Sequence, residues 1–66
     1  MNVTINGKVK ELKKEQNIQD LLQNLNVNCQ AVIVEANGSI IKKEKWSQTK
    51  VKENDTLEIV RFVGGG

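Results

Sequence analysis

Cys29 is the chain's only cysteine, and the sequence contains no histidine. In a chain of 66 residues this removes the usual braces of a small domain. No internal disulfide can form, and the Cys/His ligand sets of structural zinc are missing. A domain of this size buries only about 60% of its unfolded surface, so its single core is thin. The same absences exclude a Ser-His triad and histidine acid–base chemistry. The chain therefore reads as a carrier, a binding module or a subunit, and not as a self-sufficient enzyme.

The apolar pattern is that of a short α+β roll. Val3 and Ile5 alternate with Asn2 and Thr4, which predicts a half-buried strand. Asn6-Gly7 is a strong type I′ hairpin signal, so Lys8 to Leu12 forms the return strand. Val9 and Leu12 have opposite parity, and a bulge or an early strand end would accommodate them. Asn17 is a good helix N-cap, with Asp20 in the first turn. Ile18, Leu21, Leu22 and Leu25 recur at i, i+3, i+4 and i+7, predicting a helix over roughly residues 18–25 that ends at Asn26-Val27-Asn28. Ala31 to Val34 is a continuous β-branched run, expected to be a strand buried on both faces. Asn37-Gly38 is a second hairpin turn, leading to a short strand at Ile40-Ile41. Lys42 to Ser47 is a loop or one helical turn around Trp46. Asn54-Asp55 is a turn, and Thr56 to Val63 is the last strand, expected beside the first.

Ten Lys and Arg residues against eight Asp and Glu give a net charge of only +2, with aromatics at 3%. That is too little positive charge for phosphate-backbone binding and too few rings for base stacking. The amino-terminal residues lack the pattern of a secretion signal, and no apolar run is long enough to span a bilayer. The expectation is a cytoplasmic protein, monomeric when free, that binds neither nucleic acid nor membrane.

The carboxyl end carries the chemistry. Gly64-Gly65-Gly66 follows an apolar strand with no polar linker. Glycine lacks a side chain, so such a tail is narrow, and its terminal carboxylate is unhindered. A carboxylate becomes electrophilic when ATP converts it to an acyl-adenylate, which a sulfur or nitrogen nucleophile can attack. The partner supplies Mg²⁺, phosphate clamps and nucleophile. The alternative is a frayed or artificial end.

Several segments carry a resemblance to a known family. Asn6-Gly7 lies between the first two strands. Ile18 to Leu25 fits a V-x-x-L-L-x-x-L helix, and Val34 to Gly38 fits V-E-x-N-G. Ile41 to Trp46 fits V-P-R-x-x-W, and Asp55 to Gly66 fits D-x-[LIV]-E-I-V-x-F-V-G-G-G. Over essentially its full length the chain resembles the ThiS family, the sulfur carriers of thiamine biosynthesis, with their β-grasp or ubiquitin-like fold. It departs at Lys42, where proline is common, at Lys43, where arginine is common, and at Asn54, where glycine is common.

The resemblance implies a mixed sheet of four to five strands on one helix over residues 1–63, and a flexible glycine tail over residues 64–66. It implies that Gly66 is adenylated by a ubiquitin-activating-type enzyme using ATP and Mg²⁺, with Gly64 and Gly65 recognised as the tail. Sulfur would come from a cysteine desulfurase or rhodanese-like donor, and a thiocarboxylate on Gly66 would supply thiazole synthase. The resemblance implies that the protein itself binds no cofactor and is a carrier rather than a catalyst. Alternatives are the small subunit of molybdopterin synthase or another sulfur carrier, a ubiquitin-like modifier, or an interaction module with an inert tail.

On the last strand, Leu57, Ile59 and Arg61 share one face, and Glu58, Val60 and Phe62 the other. If the first set meets the helix, Val60 and Phe62 are the candidate docking residues beside the tail. Cys29 is expected to be an idle small thiol, Trp46 a cap over the core, and the lysines at 42, 43, 45, 50 and 52 solvating residues. Asp20, Glu35, Glu44 and Asp55 form no paired site.

Overall fold

Residues 1–62 are described in the computed structural model. Both Asn-Gly pairs form hairpin turns with two positive φ angles. Asn6 (φ 51°) and Gly7 (φ 83°) join β1 (Asn2–Ile5) to β2 (Lys8–Glu11). Asn37 (φ 52°) and Gly38 (φ 89°) join β3 (Val32–Ala36) to β4 (Ser39–Ile41). Such turns match the right-handed twist of the strands they connect. Between the hairpins lies α1 (Ile18–Asn24). The side-chain oxygen of Asn17 accepts the Asp20 N–H at 2.7 Å, which caps the helix. Leu25 is the C-cap, and Asn26 then turns the chain with φ 59°. A 3₁₀ segment, Lys43–Gln48, and a turn at Asn54 (φ 69°) lead into β5 (Thr56–Arg61). The positive φ at Asn54 is one that glycine adopts without strain.

The five strands form one mixed sheet in the order β2-β1-β5-β3-β4. β1 and β5 are parallel, and every other pair is antiparallel. One face carries the core, in which Ile18, Leu21 and Leu22 of the helix meet Val3, Val34 and Leu57 of the sheet. Trp46 is wholly inside this core, and its indole N–H donates to the Ile41 carbonyl at 2.9 Å. That bond satisfies the one polar atom the ring would otherwise bury. Val51 joins the core because the segments before the helix and after the 3₁₀ turn pair. Ile18 N–H donates to Thr49 and Val51 N–H to Gln16, each at 2.9 Å.

The structure corrects two expectations and decides a third between its alternatives. The run Ala31 to Val34 is not buried on both faces. β3 begins at Val32, and although Val32 and Val34 are buried, Ile33 is 41% exposed. One helix can cover only one side of a sheet, and among the described residues nothing covers the other. Of the two ways offered to accommodate Val9 and Leu12, the early strand end holds: β2 stops at Glu11 and contains no bulge. The register Asn2↔Glu11 runs on into reciprocal backbone bonds between Met1 and Leu12, at 2.7 and 2.8 Å. Leu12 thus enters the core while Val9 faces out. β5 stops at Arg61, and Val63 lies outside the described residues.

The two turn asparagines do more than turn the chain. Asn6 follows β1 and Asn37 follows β3, the two neighbours of β5. The Asn6 side chain accepts the Ile59 N–H at 2.7 Å and donates to the Ile59 carbonyl at 3.3 Å. The Asn37 side chain accepts the Thr56 N–H at 2.9 Å and donates to Asp55 at 3.0 Å. Each amide stands in for a ladder partner where its own strand has ended.

A substitution series at position 37 separates these two duties. Asn37→Gly keeps the positive φ and loses the side-chain bonds, so it should cost about 1–2 kcal/mol. Asn37→Ala loses the bonds and adds left-handed strain, for about 1–2 kcal/mol more. Urea unfolding should rank wild type above Asn37→Gly and Asn37→Gly above Asn37→Ala; equal stabilities would remove the side chain from the account.

Candidate functional site

Strand alternation places the candidate docking residues. Along β5, Leu57 is buried and Ile59 half-buried on the helix side, while Glu58 and Val60 point the other way. Val60 is 48% exposed and Phe62, just past the strand, 44%. The Phe62 N–H still donates to the Ala31 carbonyl at 3.0 Å, which continues the β3–β5 pairing. The chain is therefore held as far as the residue before Val63. Gly64, Gly65 and Gly66, the expected tail, lie outside the described residues.

Two further members of this patch were missed in the sequence. Ile33 sits directly across from Val60, and Ile40, 64% exposed, sits across from Glu35 on the same face. Reading the β3 run as buried on both sides hid Ile33. The available signal was its alternation with Val32 and Val34, which in a two-layer fold must send it outward. Val60, Ile33, Ile40 and Phe62 together leave an apolar area on the open face, at the side of the sheet where β5 ends. Clustered apolar exposure of this kind marks contact surfaces.

The other candidate residues have structural settings. Cys29 is half-buried beside the core, its thiol donating to the Val27 carbonyl at 3.7 Å. Asp55 accepts the Lys52 N–H at 2.8 Å and the Asn37 amide at 3.0 Å, which fixes the turn into β5. Lys50 reaches Glu15 at 3.9 Å with both side chains exposed, a weak contact. Lys42, Lys43, Lys45 and Lys52 are exposed. Trp46 is a central core residue rather than a lid over it. Among the described residues, no group of three or more His, Cys, Asp or Glu side chains could hold a metal ion. No helix among them is long and apolar enough to cross a membrane.

The ThiS family model matches residues 3–66. The sulfur carrier protein ThiS of Bacillus subtilis is 44% identical over 63 residues, covering 94% of this chain and 96% of that protein. A thiazole synthase of Paramagnetospirillum magneticum is 38% identical over 66 residues; the match takes in all of this chain but only 20% of that protein's length. The crystal structure of the thiamine biosynthesis protein ThiS from Geobacter metallireducens superimposes with a TM-score of 0.88 at 38% identity, with both chains covered in full. The shared fold is the ubiquitin-like β-grasp, and the chain belongs to the ThiS family of sulfur carriers.

Proposed function

We propose that this chain carries sulfur as a thiocarboxylate on Gly66 for formation of the thiazole ring of thiamine. The observation that carries the reading is the extent of the family match, which continues to residue 66 and so includes the three glycines. A ThiS-family chain is a carrier and not a catalyst, so the chemistry is done by its partners on a carboxyl group it presents.

The steps follow from carboxylate chemistry. An adenylating enzyme joins the Gly66 carboxylate to the α-phosphate of ATP, held with Mg²⁺, and pyrophosphate leaves. The terminal sulfur of a cysteine persulfide, on a desulfurase or rhodanese-like donor, attacks the activated carbonyl and AMP departs. A thiol cleaves the resulting S–S bond, leaving the thiocarboxylate. Thiazole synthase takes the sulfur, and the returned carboxylate re-enters the cycle. Gly64 and Gly65 let the last residue enter a narrow channel, because no Cβ widens the chain. The match between this chain and one-fifth of a thiazole synthase supports that enzyme as the acceptor, since partners that exchange a group are suited to fusion. The cycle is assigned to the cytoplasm. Val60 and Phe62, both exposed, dock the body on the adenylating enzyme.

Intact-protein mass spectrometry tests the reading. Incubation with the adenylating enzyme and ATP should yield an adenylate, and a thiocarboxylate once sulfide is added; an unchanged mass would refute it. Deleting Gly66 should abolish sulfur transfer while the circular dichroism spectrum stays that of wild type. Retained transfer would move the chemistry elsewhere.

The docking residues give a separate expectation. Phe62→Ala should weaken binding to the adenylating enzyme about tenfold, and Val60→Ala by less. Because both side chains are about half exposed, unfolding free energies should change by no more than about 1 kcal/mol. Calorimetric titration and urea unfolding of the same samples would measure both.

A further inference from the structure

The open face of the sheet is charged as well as apolar, and within the strands its charge has one sign. Register fixes which strand residues point outward. They are Asn2 and Thr4 of β1, Val9 and Glu11 of β2, Ile33 and Glu35 of β3, Ile40 of β4, and Thr56, Glu58 and Val60 of β5. No cation is among these strand residues, and Lys42, exposed and extended just past β4, is the one lysine that continues the parity of Ile40. The strand cations Lys8, Lys10 and Arg61 have the opposite parity and line a groove of about 380 Å³ on the helix side.

Glu35 and Glu58 are direct cross-strand partners. Side chains paired in this way have Cβ atoms about 5 Å apart, and like charges there destabilise the sheet. Among the described residues neither carboxylate accepts a hydrogen bond or has a cation within ion-pair distance, the one ion pair there joining Lys50 to Glu15. The glutamate pair borders the apolar patch. Ile33 and Val60 form the next outward pair along the same two strands, and Ile40 is across from Glu35 on the other side.

We infer that this face docks a partner surface bearing an arginine or lysine that enters between Glu35 and Glu58, ringed by apolar side chains that cover Ile33, Ile40 and Val60. The inference rests on the carrier reading above, and the partner is the adenylating enzyme, because the patch adjoins Phe62 and the segment that enzyme must reach. Charge complementarity selects the occupant. A cation placed between two carboxylates removes a repulsion as well as adding an attraction, so the contact is stronger than either glutamate alone would give. A second copy of this chain is unsuitable, since its matching face would bring Glu11, Glu35 and Glu58 against the same three residues.

The double variant Glu35→Gln/Glu58→Gln separates docking from folding, because the two effects have opposite signs. It keeps side-chain shape and removes both charges. Free of partner, it should unfold about 1–4 °C higher than wild type. Titrated into the adenylating enzyme at low salt, it should bind on the order of tenfold more weakly. That deficit should shrink as added salt screens the wild-type attraction. Equal affinities at low salt would overturn the inference and leave the carrier reading standing. A lowered melting temperature would make the pair structural and would also overturn it, as would a loss of affinity seen with thiazole synthase but not with the adenylating enzyme. A wild-type chain that is never adenylated would remove the carrier reading and this inference together.

Discussion

The fold depends on β5 being held from both sides. Without it the chain consists of two separate hairpins and a seven-residue helix, none of which buries enough apolar surface to be stable alone. With it, β1 and β3 become neighbours of one central strand, and Leu57 comes to the middle of the core, fully buried. The contacts that secure it are ladder bonds extended at each flank by an asparagine side chain. These link Asn6 to Ile59 and Asn37 to Thr56, across wide sequence separations. The loop-closure cost of such pairings is recovered only when both flanks form, so the sheet and the core assemble as one unit.

Local signals in the sequence were strong where backbone chemistry is local. Asn-Gly pairs, an asparagine N-cap and a four-residue apolar stripe are short-range features, and the turns and the helix stand where those features put them. Features set by what lies opposite were less visible. Leu12 and Val9 conflict until Met1 is seen to pair with Leu12. Ile33 reads as core in a run of β-branched residues, and only the absence of a second covering layer exposes it. Trp46 and Val51 lie in loop-like stretches, and their burial follows from the pairing of two connections, which no periodicity announces. The side-chain bonds of the turn asparagines are hidden for the same reason, since their partners are distant in the chain.

The candidate site divides in the same way. A run of glycines can be read without tertiary structure, because the property that matters is the missing side chain. The candidate docking surface does need one. Parity along β5 was enough to turn Val60 and Phe62 outward. Ile33 and Ile40 join them only through cross-strand register. The outward row then has apolar side chains next to acidic ones, while the basic strand residues sit on the far side of the sheet.

The parallel pairing of β1 with β5 also has a mechanical side. Tension applied at Met1 and at Phe62 would draw two parallel neighbours in opposite directions along their length. Their shared hydrogen bonds, Thr4 to Asp55 and Asn6 to Leu57, both 2.9 Å, would be sheared together rather than unzipped one by one. The fold thus resists being peeled open by a pull along β5.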